Sequence, residues 1–192
     1  MKGQSPTKHT KEATLKIVDV RVQPFVHKTT STHDPLGHRR PGAEHDIMST
    51  LVTVVSDEGA EGYSFGATPV IVEQVIKPLL VGEDPFDREM LWQRMSYAQR
   101  NHPDLYDAEI SAIDLALWDL AGRYLDQPVY KLLGGYREKV PAYASTTLGN
   151  VDPEVLGTPE AYAELAEACI KRGFKAIKLH TWMPPVPSWE PD

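Results

Sequence analysis

The chain has 192 residues, of which 41% are hydrophobic, so it can bury the core of one or two domains. Its formal net charge of −7 disfavours nucleic acid and anionic membrane surfaces as partners, because both bind clustered Lys and Arg. The single cysteine, Cys169, excludes an intrachain disulfide and fits a cytoplasmic location. Residues 1–12 are polar and predict a flexible tail with no signal peptide or membrane helix.

The chain opens with the pattern of three strands. Residues 13–26 are rich in β-branched side chains and predict the first strand. A second apolar run, residues 47–56, leads through a turn at Gly59 into a third short run, which is typical of a hairpin. The sequence therefore predicts a three-stranded antiparallel meander.

A long polar segment, residues 28–46, separates the first two strands. It contains Gly, Pro, Thr, Ser and three His residues, without strand or helix periodicity. Loops of this length in a compact domain are often lids or binding loops. A disordered insertion is the equally weighted alternative.

Helical periodicity dominates the middle of the chain. One helix follows Pro69, and Asp84 with Pro85 predicts the start of a second. A third helix has Asp107 at the N-cap position. Its apolar stripe consists of Ile110, Ile113, Leu117, Leu120, Ala121 and Tyr124.

Two carboxylates on the third helix, Asp114 and Asp119, have the residue type of an acid/base pair. A spacing of five puts them on different faces of a helix, which argues against joint chemistry. Solvated or locally bonded side chains are the favoured interpretation.

The pattern then changes to strand, helix, strand. Gly134 and Gly135 end the helical region, and residues 140–144 predict a short strand. A helix begins at Thr158, and the apolar pattern of residues 174–180 predicts a buried strand. A β-helix-β unit of this length implies parallel strands.

Two basic side chains converge at the end of this last strand. Because strand side chains alternate, Lys178 and His180 point to the same side, at the carboxyl end where α/β proteins bind ligands. Either could remove a proton, and a histidine titrates closer to neutrality. A structural ion pair for Lys178 and a satisfied core histidine at His180 are the equally weighted alternative.

Taken together, the meander, the helices, residues 112–135 (AIDLALWDLAGRYLDQPVYKLLGG) and the motif GFKAIKLH closely resemble the amino-terminal half of mandelate racemase group enzymes in the enolase superfamily. The resemblance implies an α+β capping domain, residues 13–135, built from the meander and a helical bundle. Residues 136–192 would then be the first strands of a TIM-like (β/α) barrel, incomplete here because a whole barrel needs roughly 250 residues.

The resemblance also implies site residues. Residues 28–46 and 63–68 match the two specificity loops of the family, which makes His27, Arg40, His45 and Tyr63 candidates for substrate contact. Lys178 occupies the position that touches the substrate carboxylate. His180 stands where the family usually carries a second lysine as the base, so the choice of base stays open.

The family's Mg²⁺ ligands lie on later barrel strands, so we expect none in this sequence and place them beyond residue 192. The implied activity is Mg²⁺-dependent abstraction of the proton α to a carboxylate, followed by dehydration of an acid sugar, with racemisation or cycloisomerisation as alternatives. The implied partners are a small carboxylate substrate and further copies in a homo-oligomer. We expect the 192-residue chain alone to be inactive, and a catalytically silent capping or assembly module is the competing hypothesis.

Overall fold

The computed structural model describes residues 14–33, 39–145 and 158–179. Contacts divide the chain into two units, one formed by Met1–Val26 with Met48–Tyr136 and the other by His27–Ile47 with Arg137–Asp192. No helix within the described ranges is both long and apolar enough to cross a membrane.

The predicted meander is confirmed. Strands β1 (Ile17–His33), β2 (Arg39–Ser56) and β3 (Glu61–Phe65) form an antiparallel sheet in the order β1-β2-β3. The register places Leu51 opposite Phe65 and Val55 opposite Glu61. The turn between β2 and β3 contains Gly59 at φ +79°, a conformation that glycine adopts without steric cost.

The first two strands are longer than predicted, and the prediction of a loop over residues 28–46 is wrong for most of that segment. β1 continues to His33 and β2 begins at Arg39, while residues 34–38 lie outside the described residues. Threonines at positions 29, 30 and 32 favour extended backbone. The Lys28 Nζ lies 3.1 Å from the Glu44 Oε1, and such an ion pair between the strands supports their pairing.

The helices of the first unit follow the sheet in chain order. They are α1 (Pro69–Ile71), a π-helical turn (Val72–Ile76), α2 (Lys77–Leu80), α3 (Arg88–Ala98), α4 (Asp107–Tyr124) and α5 (Val129–Leu132). The π turn lies just before Pro78, which has no amide proton for the carbonyl four residues earlier, so the regular α-helical bonding is interrupted there.

Two predicted helix starts need correction. Asp84 does not start α3, because its Oδ1 accepts a hydrogen bond from the Phe86 amide at 2.8 Å and holds a turn that precedes the helix. The N-cap of α4 is Tyr106 rather than Asp107. The Glu109 Oε2 accepts the Tyr106 amide at 3.1 Å, and this bond fixes the helix start one residue earlier.

Helix α4 packs directly on strand β3. A Cβ at Gly62 would overlap the Ala116 carbonyl oxygen and the Leu120 backbone nitrogen, so only glycine permits this distance. The predicted stripe of α4 is confirmed except at Tyr124, which is 39% exposed. The core between sheet and helices includes Ile17, Val20, Val52, Val54, Ile76, Leu91, Met95, Ile113, Leu117 and Leu120.

The second unit contains the predicted β-helix-β arrangement. Strand β4 (Ala144–Ser145) pairs in parallel with β5 (Ile177–Lys178), and α6 (Pro159–Lys171) lies between them in sequence. The strand predicted over residues 140–144 is thus shorter and starts later. The predicted burial of residues 174–180 is also wrong for those described, since Phe174 and Ile177 are only half-buried and Leu179 is 55% exposed.

Candidate functional site

Lys178 ends strand β5. It lies opposite Ser145 of β4, and the Ala144 amide donates to the Ala176 carbonyl at 2.9 Å, so the parallel register at this point is well defined. The Lys178 side chain is exposed. His180, the second residue predicted at this strand end, lies outside the described residues, and its convergence with Lys178 stays a prediction.

Hydrogen bonds at both ends of helix α6 define its boundaries, and β5 begins shortly after its end. The Thr158 Oγ1 accepts the Ala161 amide at 3.2 Å and caps the helix, as the sequence predicted. At the other end Gly173, at φ +96°, lets the Phe174 amide reach back to the Cys169 carbonyl at 3.2 Å. This tight ending brings the chain from α6 to Lys178 within a few residues.

Three predicted substrate contacts lie on the paired arm formed by residues 27–33 and 39–47. His27 is exposed on β1, with its Nδ1 3.4 Å from the Lys28 carbonyl oxygen. On β2, the His45 Nδ1 lies 3.1 Å from the Ala43 carbonyl oxygen. Arg40 belongs to β2, but its side chain is outside the description. The described part of the arm therefore consists of two extended strands carrying imidazoles rather than an irregular loop.

Tyr63, the fourth predicted contact, lies on β3 in the first unit. Its hydroxyl donates a short hydrogen bond to the Glu61 Oε2, and the guanidinium carbon of Arg123 lies 4.8 Å from its ring centroid. This hydrogen bond is the main reason why the pKa of Tyr63 is raised from 10.0 and the pKa of Glu61 is lowered from 4.5. Tyr63 is thus a neutral phenol, held in one orientation by its neighbours.

A series of ion pairs extends from Glu61 across the outer face of the sheet. The Arg21 Nη2 donates to the Glu61 Oε1 at 2.7 Å, and the Lys77 Nζ lies 3.0 Å from the Asp19 Oδ1. Arg21 and Asp19 are 3.6 Å apart. Charges of alternating sign therefore join β1, β3 and α2, and each exposed pair contributes modestly by itself.

The loop after β3 is fixed at several points. The Gly66 amide donates to the Thr50 carbonyl at 3.2 Å, and the Thr50 Oγ1 donates to the Ala67 carbonyl at 2.8 Å. The Thr68 Oγ1 donates to the Glu109 Oε1 at 2.9 Å. The predicted second specificity loop, residues 63–68, therefore needs correction, because residues 63–65 belong to β3 and only residues 66–68 form a connection, which hydrogen bonds hold in place.

Glu109 is a buried carboxylate that sequence reasoning missed. It is only 5% exposed, and its two oxygens accept hydrogen bonds from Thr68 and from the Tyr106 amide. Its position three residues into α4 is the sequence signal of a capping box, which would have identified its helix contact. No local pattern indicates the bond to Thr68, because that residue is 41 positions away.

The residues described here do not fit a magnesium site. Within residues 14–33, 39–145 and 158–179, no group of three or more His, Cys, Asp or Glu side chains could hold a metal ion. Magnesium takes about six oxygen ligands, usually with one or two carboxylates. We therefore assign no metal ligand and derive no reaction step through a metal.

Comparison with known proteins gives a consistent result. The family model for the mandelate racemase / muconate lactonizing enzyme N-terminal domain matches residues 13–134. The solved structure of D-glucarate dehydratase from Agrobacterium tumefaciens, complexed with magnesium, is 48% identical with a TM-score of 0.80 and covers 92% of this chain and 47% of that one.

Two curated proteins illustrate the range of similar activities. Arabinonate dehydratase of Saccharolobus solfataricus is 36% identical over 148 residues, which are 71% of this chain and 38% of that protein. The 3,6-anhydro-alpha-L-galactonate cycloisomerase of Streptomyces coelicolor is 32% identical over 169 residues, 81% of this chain and 42% of that protein. The chain thus spans less than half the length of these relatives.

Proposed function

This chain belongs to the mandelate racemase / muconate lactonizing enzyme family of the enolase superfamily, and from that premise we propose that it serves in an acid-sugar dehydratase. The reaction removes the proton α to the carboxylate and expels the β-hydroxyl group, and the resulting enol becomes a 2-keto-3-deoxy acid. The observation that supports this most strongly is the 48% identity to D-glucarate dehydratase.

In this proposal Lys178 binds the substrate carboxylate at the carboxyl end of β5. Its ammonium stabilises the negative charge that develops on the carboxylate as the α proton leaves. The base is either His180 or Lys178, which would have to be a neutral amine to accept the proton, and the two are kept as alternatives. The parallel pairing of β4 with β5 supports this placement, because active sites of (β/α) barrels lie at the carboxyl ends of their strands.

His27, Arg40, His45 and Tyr63 are the proposed contacts to the substrate hydroxyl groups and distal end. Imidazole and phenol groups both donate and accept hydrogen bonds, which suits a polyhydroxylated acid. The raised pKa of Tyr63 keeps its hydroxyl protonated at neutral pH. Its proton is donated to Glu61, so the Tyr63 oxygen can accept a hydrogen bond from a substrate hydroxyl.

Magnesium is the proposed cofactor, because the D-glucarate dehydratase structure was solved with it. When bound, it would supply a Lewis acid for the substrate carboxylate, and we assign none of the described residues as its ligand. We also propose a cytoplasmic location and a homo-oligomeric assembly.

A cycloisomerase is the second candidate, supported by the 32% identity to 3,6-anhydro-alpha-L-galactonate cycloisomerase, and a racemase is the third. All three reactions begin with the same proton abstraction, so they differ only in the fate of the enediolate. We further propose that the 192-residue chain has no activity by itself.

A chimera tests the proposal. Residues 13–180 would replace the matching segment of the Agrobacterium tumefaciens D-glucarate dehydratase, and the chimera would be incubated with aldonates and aldarates in D₂O with Mg²⁺. We expect deuterium exchange at the α carbon and a 2-keto-3-deoxy product from at least one acid sugar. Exchange with a cyclised or epimerised product would instead support the cycloisomerase or the racemase.

The variants K178M and H180N, singly and together, identify the base. The matched control is K175M, because Lys175 is an exposed lysine that lies two residues before β5 and belongs to none of the proposed contacts. The double variant should lose exchange by at least about 10³-fold while K175M keeps it. Unchanged exchange in the double variant would contradict the assignment.

A further inference from the structure

A groove between the first turn of α3 and the middle of α4 holds polar groups that lack partners. Its volume is about 630 Å³, within the range typical of small-molecule sites. Three aromatic and three charged side chains line it: Phe86, Arg88, Glu89, Trp92, Asp114 and Trp118. All six belong to the first unit, and none belongs to the proton-abstraction site proposed above.

The flat face of the Arg88 guanidinium packs on aromatic rings of the groove. The guanidinium carbon lies 3.8 Å from the ring centroid of Trp118 and 5.8 Å from that of Phe86. Its Nε and Nη1 are shielded from solvent and have no hydrogen-bond partner. Among the described residues, no carboxylate oxygen lies within 4.0 Å of an Arg88 guanidinium nitrogen, which is the distance limit for an ion pair. The cation therefore lacks the acceptors that a buried guanidinium requires.

The same groove contains two carboxylates. Burial raises the pKa of Asp114, the charge of Arg88 opposes this, and the negative charge of Glu89 adds to it. Arg88 can only donate hydrogen bonds, while ionised Asp114 and Glu89 can only accept them. The Glu89 Oε1 accepts a hydrogen bond from the Gln93 Nε2 at 3.0 Å, while Arg88 and Asp114 line the groove without forming an ion pair.

Trp92 adds an apolar face to this polar set. It is 42% exposed, although tryptophan usually buries most of its ring surface. A ligand in the groove would therefore meet an indole and charged groups of both signs.

We propose that the groove binds a neutral polyhydroxylated ring, which is the chemistry of an uncharged sugar. A sugar hydroxyl both donates and accepts hydrogen bonds, so one ligand can donate to Asp114 and Glu89 and accept from Arg88. The C–H face of the ring can pack on the indole of Trp92. The proposal does not depend on the dehydratase assignment, because it rests only on side chains of α3, α4 and the turn before α3.

Other ligand classes match these groups less well. An anion would face two carboxylates and one guanidinium, a net repulsion in a partly buried site. A cation would meet the guanidinium of Arg88, whose charge is not neutralised by an ion pair. An apolar ligand would leave Arg88 and Asp114 without polar partners, whereas Glu89 keeps its hydrogen bond from the Gln93 Nε2 at 3.0 Å.

The test is a titration of the 192-residue protein with D-glucose, D-galactose and D-xylose, measured by calorimetry and by ligand-observed NMR. We expect saturable binding of at least one sugar with a Kd on the order of millimolar. The corresponding uronate, which keeps the ring and adds a carboxylate, should bind at least about tenfold more weakly, because its carboxylate meets Asp114 and Glu89. No saturable binding up to about 200 mM, or equal affinity for sugar and uronate, would overturn the proposal.

Single-residue variants test whether the sugar binds in this groove. D114N and W92A should each weaken the affinity by about tenfold, and E89Q provides a further variant with little risk to folding because Glu89 is exposed. Y97A on α3 and S111A on α4 are matched controls outside the groove and should bind as the parent does. Circular dichroism checks folding, and unchanged affinity in D114N, W92A and E89Q would contradict the assignment.

Discussion

The carboxylate of Asp119 accepts a hydrogen bond from the backbone amide of Tyr63 at 2.9 Å, across 56 positions of sequence. Strand β3 is at the edge of its sheet, so this amide has no neighbouring strand to bond. The same Asp119 oxygen accepts the Arg123 Nε at 2.7 Å, and Arg123 covers the Tyr63 ring. One helical side chain thereby satisfies a sheet edge and positions a candidate substrate contact.

Replacing Asp119 should therefore destabilise the first unit. D119A leaves the Tyr63 amide without its acceptor, and we expect a loss of about 1 to 3 kcal/mol in the free energy of unfolding. D119N keeps an oxygen acceptor and should lose less. Urea unfolding followed by tryptophan fluorescence measures this, since Trp92 and Trp118 both lie in that unit. R123M is the control for the exposed ion pair, and an equal loss in R123M and D119A would assign the effect to the pair instead.

Gly62 should not tolerate even one methyl group. G62A places a Cβ against the backbone of α4, which can yield only if the helix moves away from β3. We expect a loss of about 1 to 3 kcal/mol or more. The matched control is G135A, whose Cβ would come closest to the ring of Tyr130 at 3.2 Å, a side chain that can rotate, and would lie at an ordinary contact distance of 3.6 Å from the Tyr130 carbonyl oxygen. A melting temperature of G62A equal to that of G135A would refute this packing.

The hydrogen bonds of Glu109, which join the loop after β3 to helix α4, should contribute to the free energy of unfolding. E109A removes the acceptor of both the Thr68 hydroxyl and the Tyr106 amide, with an expected loss of about 2 to 3 kcal/mol. T68V removes one of these bonds and should lose about 1 kcal/mol. The double variant E109A/T68V measures their coupling in a thermodynamic cycle. Simple additivity of the two losses would mean that the bond between Thr68 and Glu109 contributes nothing.

The hydrogen bond between Tyr63 and Glu61 predicts a pH-dependent contribution to stability. Glu61 has a folded pKa below its ordinary 4.5, so its contribution is present above that pH and is lost as the pH falls through the folded pKa. Tyr63 has a folded pKa above its ordinary 10.0, so its contribution is present below that pH and is lost as the pH rises through the folded pKa.

The stability difference between the parent and Y63F should therefore be constant between these limits and shrink at both ends. Melting temperatures of the two proteins across the pH range measure it. The variant Y143F, an exposed tyrosine outside this pair, is the control and should follow the parent. A difference between parent and Y63F that does not change at acid pH would refute the link to Glu61.

Local pattern determined much of this protein by itself. The apolar runs joined by the turn at Gly59, the apolar stripe of α4 and the helix start at Thr158 each depend on residues a few positions apart, so the sequence predicted the meander, the main helix and the start of α6 correctly. The motif within residues 112–135 likewise indicated the family, which the match over residues 13–134 confirmed.

The tertiary structure determined which residues far apart in the sequence contact one another. The paired arm of β1 and β2 extends through residues with no periodicity, because each strand supplies hydrogen bonds to the other. Glu109 meets Thr68, Asp119 meets Tyr63, and Arg88 stacks on Trp118 only after the helices have packed. Such contacts follow from the packing of side chains far apart in sequence, which no periodicity of a single segment encodes.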